Sequence, residues 1–298
     1  MWAPIVIFAY NRPDKLVRLV DTLKQNPEFG ASPLYIFVDG SKNEDERDRV
    51  TAVVDLARKT CLGHPGGGQT IAAERNQGLS QAVIAGVSAV LAKHESAIIL
   101  EDDLVCTSGF LSFMNQGLNQ YATDERIIAV CGYGLKIKRP KDYSADVYLS
   151  LRASSWGWAT WRDRWQTIDW TVTDWTQFRT DRAAQKAFNR GGSDMTSMLR
   201  GYMEGRNNSW AIRFCYNQFR QGKYSVHPFR SYVDNEGFGL DATNCHQRHS
   251  RFKVLKATDY QVITLPRLYP NELIFRRLRH YHSLTARAVS KIKTLLNL

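Results

Sequence analysis

The sequence predicts an α/β fold with a mainly parallel central sheet flanked by helices. Short apolar runs rich in β-branched residues alternate with amphipathic helical stretches, and polar clusters fall directly after the runs. Pro4 to Ala9 is the first run; Tyr10-Asn11-Arg12-Pro13-Asp14 follows, and Leu16, Leu19, Val20 and Leu23 then recur at helical spacing. Leu34 to Val38 reads as a second buried strand ending at Asp39-Gly40-Ser41, with a helix over Val50 to Ala57 behind it. Two consecutive strand-loop-helix units imply parallel strands joined by right-handed crossovers. A third helix is expected over Leu79 to Lys93, where Val83, Val87 and Val90 share a face, and Ala97 to Leu100 is the next buried strand. Ligands of open α/β sheets bind at the carboxyl ends of strands, so the loops after Ala9, Val38 and Leu100 should meet in one crevice.

The alternation weakens downstream. Ile127 to Val130 is strand-like, Ser154 to Trp175 is dense in tryptophan, and Ser193 to Gly222 looks helical. Without a Pro/Ser linker or an internal repeat, one domain is expected over residues 1–270, in two halves, 1–125 and 126–270. Residues 271–298 read as a basic amphipathic C-terminal helix: Ile274, Leu278, Tyr281, Ala288, Ile292 and Leu295 recur at spacings of three, four or seven, and arginines and lysines decorate the rest. Such a helix can lie on an anionic bilayer surface or pack on protein.

The chain has 298 residues, 43% hydrophobic and 23% charged, enough for a substantial core and unlike a disordered protein. A net charge of +11 points to anionic partners, among them nucleotides, lipid-linked pyrophosphates and phospholipid surfaces. No run approaches the roughly 20 apolar residues that span a bilayer, and the N-terminus lacks the basic region and cleavage site of a signal peptide. Five scattered cysteines without CxxC spacing indicate neither a disulfide framework nor a structural zinc, which favours a reducing cytoplasmic setting.

Glu101-Asp102-Asp103 carries the most chemical information. Three carboxylates at a strand end repel one another unless a cation is present. Alternation sends Glu101 and Asp103 to one side and Asp102 to the other, so one can bind a metal while another meets hydroxyl groups. Oxygen ligands suit Mg²⁺ or Mn²⁺. A solvated acidic turn is the plainer alternative. Arg12 in the loop after the first strand can pair with anionic oxygens, and Asp39 before Gly40 can read a base edge; a surface arginine and an Asp-Gly turn are the plain readings there. His64-Pro65-Gly66-Gly67-Gly68 is not a phosphate-binding loop, because no Gly-Lys-Ser/Thr follows it.

Pro4 to Pro13, Phe37-Val38-Asp39-Gly40, Ile98 to Leu104 and Gly157-Trp158 occur in the order seen in GT-A-fold enzymes similar to N-acetylglucosaminyltransferase I. The segments Ser154 to Trp161 and Ser209 to Arg213 resemble bacterial members found among cell-surface polysaccharide enzymes. The resemblance spans about residues 4 to 249, strongest in the first 110, and no nucleic-acid partner is part of it. It implies a metal-dependent, inverting glycosyltransferase that moves a sugar from a UDP-sugar to a glycan or lipid-linked glycan. Residues 1–125 would be its donor half and 126–270 its acceptor half. It further implies that Arg12 and Asp39 hold the nucleotide, Asp39 at the imide N–H of the base, that Arg75 contacts donor phosphate or nucleotide, that Glu101 and Asp102 meet the sugar and ribose hydroxyls, and that Asp103 ligates the metal. Among the clustered tryptophans, Trp158, with Gly157 admitting close approach, is the expected acceptor contact.

An inverting transferase needs a carboxylate base, and the family's Asp after Trp is here Ala211. Asp194 and Glu204 are the available candidates. Tyr232 to His246 resembles a lid over the donor, in which His246 could touch phosphate or metal. The competing readings are a sugar-nucleotide nucleotidyltransferase, which would carry a Gly-rich basic loop after the first strand, and a non-catalytic carbohydrate-binding protein, which would not need the acidic triplet.

Overall fold

The computed structural model describes residues 2–237, 254 and 264–295. In chain order its strands are β1 (Ile5–Ala9), β2 (Leu34–Val38), β3 (Gly68–Ala72), β4 (Ser96–Glu101), β5 (Leu104–Cys106), β6 (Ile127–Cys131), β7 (Val147–Ser150), β8 (Trp158–Trp161), β9 (Tyr224–Pro228) and β10 (Val233–Asn235). The helices are α1 (Pro13–Leu23), α2 (Arg47–Leu62), α3 (Leu79–Leu91), α4 (Phe110–Gln120), α5 (Arg162–Gln166), α6 (Trp175–Phe178), α7 (Arg182–Phe188), α8 (Met195–Met203), α9 (Trp210–Arg220), α10 (Glu272–Tyr281) and α11 (Leu284–Leu295).

Eight strands form one sheet in the order β3-β2-β1-β4-β8-β6-β9-β7. The first four run parallel, β8 is antiparallel to β4 and β6, β9 is parallel to β6, and β7 is antiparallel to β9. The expected α/β sheet, mostly parallel and flanked by helices, is thus present. Period-two alternation divides the core between the two faces. Ile5, Ile7 and Ala9 of β1 pack with the apolar stripe of α1, whereas Val6 and Phe8 pack with Val83, Val87 and Val90 of α3. Both faces being covered, all five residues of β1 are buried. α1 starts at Pro13, whose fixed φ and missing N–H suit the first helical position, and it buries Leu16, Leu19, Val20 and Leu23. Each such side chain contributes about 1.5–3 kcal/mol, which anchors the loop between β1 and α1 at the carboxyl end of the sheet.

Several elements differ from the sequence reading. Gly68–Ala72 forms an edge strand where the sequence reading placed no element. The helical stretch from Ser193 is two helices, interrupted where Gly205 takes φ +72°. The tail is also two helices rather than one: Ser283 Oγ accepts the N–H of Ala286 and starts α11 afresh, and α10 buries Ile274, Phe275 and Leu278 against the body. Among the described residues no helix is long and apolar enough to cross a membrane.

Candidate active site

The loops after β1 and β4 meet, as the sheet topology requires. Phe8 is in register with Glu101, and Asp102 N–H donates to Phe8 O at 3.0 Å. The Asp102 carboxylate accepts from Tyr10 N–H at 3.2 Å and from Arg12 Nη2 at 2.5 Å, and the same nitrogen lies 3.1 Å from Asp103 Oδ2. Asp102 is buried, 3% exposed, while Glu101 and Asp103 are only partly covered. Burial, with Arg12 pulling the other way, pushes the Asp102 carboxyl up to about 6. Burial and then repulsion from Asp103 and Asp102 push Glu101 up to about 8. Arg12 is itself held above its ordinary value, because the two aspartates outweigh the cost of its burial. The ion pair therefore favours the guanidinium charge without fully offsetting the burial of Asp102. Asp102 and Asp103 share one guanidinium, and Glu101 beside them is pushed toward its neutral form, so this end of β4 holds more carboxyl groups than cations.

A distant segment completes the wall. β10 pairs antiparallel with β5, placing Asn235 opposite Leu104, and Asn235 Nδ2 reaches Asp103 Oδ1 at 3.4 Å. Lys15 Nζ and the Arg18 guanidinium hold Glu236 from α1, at 3.4 Å on its backbone oxygen and 2.7 Å on its carboxylate. A side chain at Gly237 would put its first carbon 2.2 Å from Asp103 Oδ2 and 2.9 Å from Asn235 Oδ1. Glycine thus admits a close approach to two oxygens that already accept hydrogen bonds, Asp103 Oδ2 from Arg12 Nη2 at 3.1 Å and Asn235 Oδ1 from Gly237 N–H at 2.7 Å, so a ligand in this small cradle would exchange for those donors. That donor set fits a hard divalent cation, although no three His, Cys, Asp or Glu side chains converge on one point among the described residues. A cation here would rest on few protein ligands. His246 lies outside the described residues.

On the β2 side, Asp39 departs from its expected role. Its Oδ1 accepts from the N–H groups of Gly40 and Gln77, and its Oδ2 from Asn76 Nδ2 and the N–H of Gly78, at 2.8–3.1 Å. Four donors occupy the in-plane lone pairs, so Asp39 clamps the Asn76–Gly78 loop and could meet a base only by releasing one of them. Arg75, in the same loop, is exposed, its backbone tight against Gly40.

The expected catalytic and acceptor residues are placed otherwise. Asp194 is bound to Arg152 Nη1 at 2.9 Å; burial raises its pKa, but the arginine more than reverses this and leaves it below the usual carboxylate range, a poor base. Glu204, at the end of α8, is exposed and paired with Arg206. Trp158 is 2% exposed and packs against Trp165, Trp210 and Phe214, so it belongs to the core. Gly157, at φ +59°, lies against Phe110 and Val233 and accepts Gly132 N–H at its carbonyl, which leaves no room for an acceptor at its backbone. Trp156 is partly exposed, as are Trp170 and Trp175 further along the same stretch. Asn235 and Gly237 were not individually legible; the only signal for them was the polar, glycine-containing stretch after Tyr232.

A mostly parallel sheet flanked by helices carries an acidic turn at the carboxyl end of β4, walled by a returning strand, and this is the arrangement that the family of the chain shares. The chain belongs to glycosyl transferase family 2, which residues 5–204 match. No curated protein matches it in sequence. Among solved structures it is similar to residues 1–349 of S. aureus TarS, at 10% identity and a TM-score of 0.43, over 80% of this chain and 61% of that one. It is likewise similar to the same TarS fragment with UDP-GlcNAc (9% identity, TM-score 0.45, 83% and 62% of the two chains) and with UDP (11%, 0.45, 78% and 60%). The chain spans about three-fifths of the length of these TarS chains.

Proposed function

We propose that the chain transfers a hexosyl or N-acetylhexosaminyl group from a UDP-sugar, with Mn²⁺ or Mg²⁺, to a glycan or lipid-linked glycan of the cell surface, with inversion. The observation that carries this reading is the convergence of Asp102, Asp103, Arg12, Asn235 and Gly237 at the carboxyl end of β4. Asp103 and Asn235 would hold the cation, which supplies positive charge to a departing diphosphate. Arg12 keeps Asp102 and Asp103 apart in charge until the donor arrives, and then offers a second positive group to the phosphates. Asp102, fixed by Tyr10 N–H, presents an oriented carboxylate to ribose hydroxyls, and Glu101 faces the sugar. Asp39 acts indirectly, by holding Asn76 to Gly78 as a wall for the nucleotide, with Arg75 at its rim. Neither Asp194 nor Glu204 suits proton removal from the acceptor, and position 211 is alanine, so the base is assigned to neither. Contact with an anionic membrane would fall to α11, since the apolar face of α10 is covered by the body.

The test is hydrolysis of a panel of sugar nucleotides with Mn²⁺ and with a chelator. Turnover confined to UDP-sugars and lost with the chelator is the expected result; chelator-insensitive turnover, or a preference for another base, would contradict it. A strong accompanying probe is a thermal-shift screen, because a ligand at 100 times its Kd adds about 2.7 kcal/mol of stability.

A further inference from the structure

A cavity of about 290 Å³ opens between the end of β7, the Arg152–Trp156 loop, α9 and α10. It lies at the lower end of the roughly 300–1,000 Å³ typical of ligand pockets, room for about one sugar residue. Its wall begins where the β4–β8 ladder ends: Ile99 and Trp158 are the last partners on the side toward Glu101, Gly157 turns the chain at φ +59°, and Trp156 beyond it lines the cavity. Ala211 lines the same cavity.

The wall chemistry is one-sided. No aspartate or glutamate lines the cavity, and its one permanently charged lining group is Arg152. Asp194 grips Arg152 Nη1 at 2.9 Å, and Met198 Sδ lies 3.7 Å from Nη2, a weak acceptor. Three of the five guanidinium N–H groups have no partner among the described residues. The backbone behind Arg152 is pinned: its carbonyl accepts from Ser150 Oγ at 2.8 Å and lies 3.1 Å from His227 Nε2. Burial drives the His227 ring down to about 4, so it adds no charge of its own. Asp194 therefore neutralises the empty cavity and fixes the fork of Arg152, and an incoming anion would meet the remaining edge. Trp156 stands edge-on to Tyr133 at 4.6 Å and offers an aromatic surface, while Ser154 and Ser155 add hydroxyls.

We propose that this cavity is the acceptor subsite and that it selects a saccharide carrying an anionic group, a carboxylate or a phosphate ester, read by Arg152. Guanidinium forks match both groups in a paired geometry that a neutral sugar cannot use. The inference rests on the glycosyltransferase reading for its word acceptor, but not for its chemistry. In this role Asp194 is a positioning residue that acts through Arg152.

The experiment compares binding of methyl glucoside, methyl glucuronide and glucose 6-phosphate by tryptophan fluorescence and calorimetry, with no donor present. At least one anionic ligand should bind the wild-type protein about tenfold or more tightly than the glucoside, and whichever of the two binds better identifies the source of the anion. Arg152→Gln should remove the preference, and Arg152→Lys, which keeps the charge but not the fork, should retain only part of it. Trp156→Ala should weaken all three ligands alike. Equal binding of the neutral and anionic glycosides, or a full preference in folded Arg152→Gln or Arg152→Lys protein, would overturn the proposal. UDP binding with Mn²⁺ is measured separately: its absence would sink the donor reading while leaving the glycoside preference to be judged on its own.

Discussion

Arg12 Nη2 lies 2.5 Å from Asp102 Oδ1, so the loop after β1 is tied to the turn after β4 by one charged hydrogen bond. Removing the arginine leaves a buried carboxylate without its cation. Arg12→Ala should therefore destabilise the metal-free protein by roughly 1–3 kcal/mol, between the values for exposed and fully buried pairs. Combining it with Asp102→Asn should recover part of that loss in urea unfolding. Strictly additive losses would show that the two side chains do not couple.

Asp103→Asn keeps the shape of the turn but removes the charge at the cradle. Metal-dependent donor turnover should fall by about 10²–10³-fold, the scale of a single group that stabilises developing charge, with the circular dichroism spectrum unchanged. Undiminished turnover would remove Asp103 from the cation site.

Gly237→Ala probes the cradle by crowding its two oxygens while leaving Asp103 and Asn235 in place in the sequence. Its φ is not left-handed, so the backbone tolerates alanine, yet the new carbon would contest the space beside Asp103 Oδ2 and Asn235 Oδ1. The metal-free melting temperature should fall somewhat, because Asp103 must shift from its place beside Arg12 and Asn235, while the stabilisation given by Mn²⁺ with UDP should largely disappear. An undiminished response to Mn²⁺ and UDP would show that the cradle holds no ion.

Glu101 predicts a pH dependence of opposite sign to the common acidic case. Its pKa is raised from 4.5 to about 8 on folding, so between those values the folded chain binds more protons than the unfolded one. Stability of the metal-free protein should then fall as pH rises from about 5 to 8, with Asp102 adding to the early part through its own rise to about 6. Glu101→Gln should flatten the profile of melting temperature against pH. A wild-type profile that is already flat would mean that the carboxylate is relieved by solvent.

The first half of the fold was legible because β1, β2 and β4 read as unbroken apolar runs, β1 and the centre of β4 being buried on both faces and β2 alternating between buried and partly covered residues, with acidic residues directly after β4. β3 escaped notice because an edge strand of Gly68-Gln69-Thr70-Ile71-Ala72 buries little and has no apolar run to announce it. Trp158 lies in the core and Trp156 is partly exposed for a local reason. Gly157 takes φ +59°, which breaks the strand alternation that would set residues 156 and 158 on the same face. Asp39 was legible as an acceptor but not as a saturated one, since three of its four donors come from residues 76 to 78, beyond an intervening helix and strand.

The pairing of β10 with β5 has a consequence for how the protein reaches its working form. Asn235 and Asp103 stand 132 residues apart in the chain, whereas Arg12 and the acidic turn meet through neighbouring parallel strands. Closing the longer loop comes at greater entropic expense, and sequence-distant contacts form slowly. The cradle, which needs this longest-range pairing, is therefore expected to form late. During refolding, helix signal and tryptophan burial should recover before nucleotide and Mn²⁺ can bind, leaving a compact but ligand-blind species for the interval between.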